Sequence, residues 1–149
     1  DPATTEIYTL SLQTLFRSKR TSPHPNLITF DCPDSNVTCV KRNISNTPIA
    51  ALATLNNSVF TDAAKAMAKR LIKERNSDTE RIAMGFQLCT ARKPSTKEAA
   101  AFLALLKKAE LYYGENETEA KAFNGDAEAS AWATLTRIFL NLDEFITRE

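Results

Sequence analysis

Apolar and polar residues alternate at helical spacing through most of the chain after residue 47. The clearest apolar stripe consists of Phe60, Ala63, Ala64, Met67 and Leu71. Similar stripes recur towards the end of the chain and place Trp132, Leu135 and Phe139 in a core. The pattern predicts helices near 48–56, 59–75, 78–91, 96–112 and 127–141.

Residues with helix-capping side chains stand at the predicted helix starts. Thr47 precedes Pro48 as an N-cap, and Leu52 and Leu55 of this first helix are predicted to face inward. Ser58 is the predicted cap of the second helix. The segments 77–80 and 95–98 read as capping boxes, and Gly114 is predicted to stop the fourth helix.

The first 46 residues lack this regularity. Apolar residues in 4–20 fit neither a helix nor a strand, and the prolines at 23 and 25 favour an extended connection. The fold class predicted is therefore mainly α, with about five helices in an irregular bundle behind an ordered, loop-rich N-terminal segment. We expect residues 1–149 to form a single domain, or the C-terminal part of a larger one, with a change from irregular (1–46) to helical (47–149) structure.

Composition narrows the function classes. The 149 residues carry 19 Lys and Arg against 18 Asp and Glu, a net charge of +1, so no strong field attracts nucleic acid or an anionic membrane. Only three glycines occur, which excludes Gly-rich phosphate loops. The opening Asp-Pro-Ala-Thr-Thr is unlike a signal peptide, and a start without Met indicates a processed chain or a fragment. We expect no membrane span, because no apolar run is long enough.

Three stretches in order carry a family resemblance: "TFDCPDSNVTCVKRNISNTPIAALATLNNSVF", "GFQLCTARKPSTKEAAAFLALL" and "AWATLTRIFLNLDEFITRE". Together they resemble the C-terminal domain of unknown function of large secreted planctomycete proteins. The chain departs from that family's Gly-Arg-Pro-Pro turn, since it has Ala91-Arg92-Lys93-Pro94. The matching positions are Phe30, Asp31, Pro33, Cys39, Lys41, Arg42, Asn46, Thr47, Pro48, Ala51, Leu52, Leu55, Asn56, Leu140, Asn141, Leu142, Asp143, Glu144 and Thr147.

The resemblance implies an extracytoplasmic setting, periplasmic or secreted, and a multidomain parent. The family's domain often accompanies a c-type cytochrome-like domain, so any haem of the parent is expected in another of its domains and not in this chain. Upstream domains of the same protein are the expected partners. The resemblance brings no established activity with it.

The three cysteines allow more than one arrangement in an oxidising compartment. Cys39 is predicted to be in a disulfide, with Cys32 as its partner across a short loop. Pairing of Cys39 with Cys89 is the rival, and three reduced thiols are the third possibility.

Catalytic and metal-binding patterns are sparse. His24, the single histidine, lies between two prolines and reads as exposed loop rather than as the base of a cysteine nucleophile. Neither zinc spacing nor a haem-attachment motif is present, so the prediction is no cofactor in this chain. Two oxygen-rich segments, 31–36 and 124–128, offer calcium ligands, but the second reads more simply as a turn and a helix start.

Lys41 and Arg42 form a basic pair in the loop that also holds Asp31 and Asn46. An ion pair between Arg42 and a terminal carboxylate, Asp143 or Glu144, would join this loop to the end of the chain. Alternatively, the basic pair binds an anion such as a sulfated or uronic sugar. The ion pair is preferred, because the capped helices nearby indicate no obvious cleft.

These observations predict a non-catalytic helical module of a large exported protein, acting in interdomain packing or partner binding. The opposing class is a contribution to a shared active site, either in a redox unit or in a polysaccharide-active enzyme. A carbohydrate-binding module is the third, with Tyr112 and Tyr113 as its aromatic surface.

Overall fold

The structure, a computed structural model, has only helices as regular secondary structure over the residues that it describes. The structure describes residues 28–33, 38–41 and 47–147. These residues contain no strand, which confirms the predicted mainly α class. The helices are α1 (Pro48–Asn56), α2 (Ser58–Glu74), α3 (Asp78–Thr90), α4 (Thr96–Glu115), α5 (Glu117–Asn124), α6 (Ala127–Phe139) and α7 (Asp143–Ile146).

Five of these helices lie where the sequence predicts them, and α5 and α7 were not predicted. The stop predicted at Gly114 is wrong, because α4 continues to Glu115 and ends at Asn116. A single glycine costs a helix only about 1 kcal/mol, which the long α4 tolerates. Asn116 ends α4 by donating both its backbone and its side-chain N–H to the Tyr112 carbonyl.

Side-chain caps begin most of the helices. Thr47 Oγ1 accepts from Ala50 N (3.2 Å), as predicted. The second predicted cap is wrong by one residue: Asn57 accepts from Val59 N (2.9 Å), and Ser58 is already helical. Ser77 caps α3, and Ser95 with Glu98 forms a complete capping box at α4.

Helix α6 is the centre of the core. It packs against α2, α4 and α5, and its Trp132, Leu135 and Phe139 are buried as predicted. Leu52 of α1 was predicted to face inward and instead is 60% exposed, because Thr54 takes the inward position on that helix. The core cluster comprises Ala68, Leu71, Ile82, Phe86, Cys89, Phe102, Leu106, Ala131, Trp132, Ala133, Leu135 and Phe139.

Small residues bring the central helices close together. Buried Thr136 of α6 donates its hydroxyl to the Ala64 carbonyl of α2 (2.9 Å). A methyl group added at Gly85 of α3 would lie 2.8 Å from the Phe139 ring and 2.9 Å from Leu71. Any larger residue at 85 therefore has to displace two core side chains.

The chain separates into two compact units, 1–50 and 51–149. In the first, Asp31 has a positive φ of 52° and donates its N–H to the Ile28 carbonyl (3.2 Å). The second unit holds the core cluster. The predicted organisation into an irregular 1–46 and a helical 47–149 stays a prediction.

Candidate functional site

The residues predicted to form a site are distributed over both units. Asp31 and Lys41 lie in the first unit, and Asp143 and Glu144 begin α7 in the second. Arg42 and Asn46 lie outside the described residues, as do His24 and most of the calcium candidate at 31–36. The pairing of Arg42 with a terminal carboxylate therefore stays a prediction.

The cation that holds Glu144 in the described structure is Arg92, in the turn between α3 and α4. Arg92 Nε donates to Glu144 Oε2 (2.8 Å) and Nη2 donates to Glu144 Oε1 (2.6 Å). This bidentate geometry is the strongest form of carboxylate pairing. It joins the α3–α4 turn to α7, 52 residues away.

The same guanidinium also binds Glu98 in the first turn of α4. Its Nη1 and Nη2 donate to the two Glu98 oxygens at 3.0 and 2.8 Å. Glu98 Oε2 accepts in addition from Ser95 N (2.7 Å) as part of the capping box. The Arg92 hydrogen bonds, followed by those from Ser95, lower the pKa of Glu98 to about 2. Hydrogen bonding to Arg92 likewise lowers the pKa of Glu144.

Backbone strain accompanies this cluster. Ala91 adopts the left-handed region (φ 60°, ψ 5°) at the C-cap of α3, a conformation that glycine occupies at least cost. This is the position where the resembling family has glycine. From Ala91 the chain turns so that the Arg92 guanidinium lies 4.8 Å from the centre of the Phe86 ring, within cation–π range.

A groove of about 570 Å³ lies beside Arg92, although the sequence had indicated no cleft. It is lined by Leu88, Cys89, Thr90, Ala91, Asp143, Glu144 and Thr147. Burial raises the pKa of the Cys89 thiol to about 11, so Cys89 is neutral near pH 7 and a poor nucleophile. The two carboxylates in the lining disfavour an anionic ligand in this groove.

A second arginine cluster forms around Arg81 of α3. Arg81 Nη1 donates to Glu128 Oε1 (2.8 Å) and to Asp78 Oδ1 (3.5 Å), and Nε donates to the Arg75 carbonyl (2.9 Å). Its guanidinium lies 5.6 Å from the centre of the buried Trp132 ring. Nearby Glu110 has a raised pKa, first through desolvation and then through the charges of Asp78 and Glu128.

The terminal motif residue Asn141 anchors α1. Thr54 of α1 donates its hydroxyl to Asn141 Oδ1, and Arg137 Nη2 donates to the Leu55 carbonyl. These contacts explain why a short, uncharged helix such as α1 has a defined position on this unit.

All three cysteines are free thiols in this structure. Cys32 and Cys39 are exposed, and Cys39 Sγ donates to the Lys41 carbonyl (3.2 Å). Cys89 is buried in the core cluster. Pairing of Cys39 with Cys32 or with Cys89 stays a prediction.

The second candidate calcium site, residues 124–128, forms a turn and the start of α6. Asp126 Oδ1 accepts from Ala129 N (2.7 Å) as the N-cap of α6, and Asn124 Nδ2 donates to the Ala129 carbonyl (2.9 Å). Glu128 is the partner of Arg81. Within 28–33, 38–41 and 47–147, no cluster of three or more potential metal-ligating His, Cys, Asp or Glu residues is found.

The proposed aromatic surface is not flat. Tyr112 is 49% exposed, whereas Tyr113 stacks on Phe123 and bonds to Thr134 through its hydroxyl (3.1 Å). The two tyrosine rings stand at 80° to each other, so they do not present one common face for a sugar ring. Over the described part of the chain, no helix has the length and apolarity needed to cross a bilayer.

The fold and its clusters define an all-α domain whose turns are held by arginine–carboxylate pairs. The chain belongs to the family described as PSD1, protein of unknown function (DUF1553), whose model matches residues 3–106. The match covers two of the three stretches that suggested a family of unknown function and ends within α4. Comparisons with curated proteins and with solved structures found no match. A planctomycete origin and an association with cytochromes stay predictions.

Proposed function

We propose that this chain is a non-catalytic helical module of a large exported bacterial protein and that it acts in interdomain packing. The observation that supports this most directly is the exposure of apolar residues at α1 and at the start of α2. Ile49, Leu52 and Val59 are 68%, 60% and 70% exposed.

Helix α1 has the composition of a covered helix. Its sequence, PIAALATLN, contains no charged residue. A helix that is apolar on every side normally lies inside a protein, because its exposure to water is unfavourable. A neighbouring domain packed over Leu52 would supply the missing cover.

The chemistry of the described residues favours packing over catalysis. The polar groups of the groove beside Arg92 already serve the fold, since Glu144 is bound by Arg92 and Cys89 is a buried neutral thiol. The alternative classes proposed from the sequence, a shared active site and binding of anionic carbohydrate, have no comparable support in these residues.

Hydrogen–deuterium exchange in the parent protein tests the proposal. In the wild-type parent, we expect the backbone amides of 49–60 to exchange more slowly than the solvent exposure of this segment in the isolated chain predicts. Leu52→Glu should accelerate exchange in α1 and in one segment of an upstream domain, and leave α6 unchanged. Lys69→Glu, an exposed change on α2, is the control. Equal exchange in all three proteins would contradict interdomain packing at α1.

Thiol counting tests the extracytoplasmic setting that we propose with it. Protein exported to an oxidising compartment and purified without reductant is alkylated in the native state and after denaturation. A Cys32–Cys39 disulfide leaves no reactive thiol in the native state and exposes Cys89 on denaturation. A Cys39–Cys89 disulfide leaves Cys32 reactive throughout. Reaction of both Cys32 and Cys39 in the native state would contradict a disulfide.

A further inference from the structure

Helix α4 has a second apolar face, opposite the one that it buries. Phe102 and Leu106 point into the core. Exposed residues on the other side recur at intervals of three and four, as on the contact face of a coiled coil. This outer face of α4 consists of Ala101, Ala104, Leu105, Lys108, Leu111 and Tyr112.

The outer face is apolar apart from Lys108. Leu105, Leu111 and Tyr112 are 41%, 65% and 49% exposed. The Tyr112 ring is held in place, because its hydroxyl donates to Glu119 Oε2 (2.6 Å). Such a face on a helix whose other side already fills the core indicates a binding surface.

Charges at the two ends of this face are opposite in sign. Lys97 lies one turn before Ala101, and Glu115 lies one turn after Leu111, so both continue the spacing of the face. Both side chains are exposed, and neither has an ion-pair or hydrogen-bond partner among the described residues. The face therefore runs from a cation, over apolar residues, to an anion.

We propose that the outer face of α4 binds the same face of a second copy of this chain, with the two helices antiparallel. Antiparallel pairing about a two-fold axis near residue 106 places Lys97 opposite Glu115 of the second copy. It places Ala101 opposite Leu111 of the second copy, a small residue against a large one. By symmetry each of these contacts occurs twice.

Lys108 fits the same register. Its opposite residue is Ala104 of the second copy, whose small side chain leaves room for the lysine stem to lie along the interface with its ammonium group in water. A parallel arrangement would instead place Lys97 against Lys97 and Lys108 against Lys108. Like charges at matching positions would oppose that arrangement.

A single helix pair makes a small interface. Helix α4 has 20 residues and is about 30 Å long. Stable dimers generally bury about 800 Å² from each partner, more than one helix face of this length supplies without help from neighbouring helices. The dimer is accordingly weak and reversible, and it forms at high local concentration.

Sedimentation equilibrium of the 149-residue chain, up to about 1 mM and at low salt, tests the dimer and its register. Lys97→Glu and Glu115→Lys should each raise the dimer dissociation constant by about tenfold, since each turns two attractive contacts into repulsive ones. The double variant Lys97→Glu/Glu115→Lys should restore dissociation to within about threefold of wild type. Leu111→Glu should abolish dimer formation.

The two charge reversals should not destabilise the folded chain. A glutamate at 97 lies in the first turn of α4 and a lysine at 115 lies in its last turn, and both arrangements favour the helix dipole. Lys69→Glu on α2 gives the same change in net charge as Lys97→Glu and should leave the dissociation constant unchanged. Val40→Glu is the matching control for Leu111→Glu, because Val40 is 98% exposed and lies outside both α4 and the surface proposed for interdomain packing.

A wild-type chain that sediments as a monomer over the whole range would overturn the proposal. So would single reversals that behave like Lys69→Glu, or a double variant that stays as weak as the single ones. None of these measurements involves α1, so the dimer can fail while interdomain packing at α1 stands.

Discussion

Arg81 and Arg92 make contacts of the same kinds in two different surroundings. Each guanidinium lies over an aromatic ring, and each is paired with two carboxylates. The Arg81 side chain is 12% exposed and covers the fully buried Trp132, whereas Arg92 is 42% exposed and lies over Phe86 at a turn. The difference lies in how much water reaches the cation.

That difference assigns the two arginines different roles. Water and salt screen the Arg92 contacts, so their value is geometric: they set the position of the α3–α4 turn against α7. Arg81 is shielded and also binds the Arg75 carbonyl, so it contributes packing as well as charge. Burial, and not the number of hydrogen bonds to carboxylates, therefore decides how much each arginine stabilises the fold.

The largest effect is expected from Arg81→Ala. The substitution uncovers the Trp132 ring and leaves the Arg75 carbonyl without its donor, which should lower the free energy of unfolding by about 2 to 3 kcal/mol. Urea denaturation followed by tryptophan fluorescence measures it. Arg70→Ala, which removes an exposed pair with Glu74 on the same helix, should cost under about 0.5 kcal/mol. Equal losses would abolish the distinction drawn from burial.

A smaller loss is expected from Arg92→Gln. The melting temperature should fall by less than in Arg81→Ala, because Arg92 and its two carboxylates are exposed. Added salt, about 1 M NaCl, should remove most of the difference between Arg92→Gln and wild type, whereas the Arg81→Ala difference should persist. Lys93→Gln in the same turn is the control. A salt-independent loss would show that Arg92 acts through packing on Phe86.

The pH dependence of stability tests the Arg92 cluster. Glu98 has its pKa lowered from 4.5 to about 2 in the folded state, and that of Glu144 is also lowered. Their stabilising contribution is therefore present above about pH 4.5 and is lost as the pH falls towards 2. Thermal melts between these pH values should show a smaller decline for Arg92→Gln than for wild type. An equal decline would mean that Arg92 does not hold these carboxylates in solution.

The smallest effect is expected next to Arg92, from Ala91→Gly. Glycine adopts the left-handed backbone at φ 60° without steric strain, but it also gives the unfolded chain more conformational entropy. The net increase in the free energy of unfolding should be about 0.5 kcal/mol. Ala83→Gly, inside the same helix, should instead cost about 1 kcal/mol. Denaturation midpoints of the two variants should lie on opposite sides of wild type. A loss of stability in Ala91→Gly would show that Ala91 is not strained.

The helices that the sequence predicted are those whose signals are local. Apolar spacing and capping residues such as Ser77 and Ser95 depend on neighbours a few positions away, so they can be read directly. Helix α5 has a weaker start signal, because its N-cap residue Asn116 makes no side-chain cap hydrogen bond, although Gly125 ends the helix. Its sequence, ETEAKAF and a final Asn, is mostly polar, and it is held by buried Ala120, whose carbonyl accepts from Ser130 of α6 (2.9 Å).

The Arg92 cluster was missed because its partners are distant in sequence. Glu144 is 52 residues away, and nothing near Arg92 distinguishes it from other surface arginines. Its position between the C-cap of α3 and the capping box of α4 was the one available signal, since a cation there lies close to Glu98. The sequence pattern favoured the basic pair at 41–42 instead, because this pair stands beside cysteines and asparagines.

The central position of α6 has a practical consequence for where the chain can be truncated. The family match ends at residue 106, yet Trp132, Leu135 and Phe139 fill the core between α2, α3 and α4. A truncation at the end of the match would strip these side chains away and expose the inner faces of Leu71, Phe86 and Leu106. Such a fragment should aggregate rather than fold, so the unit of folding here reaches past the unit of family similarity.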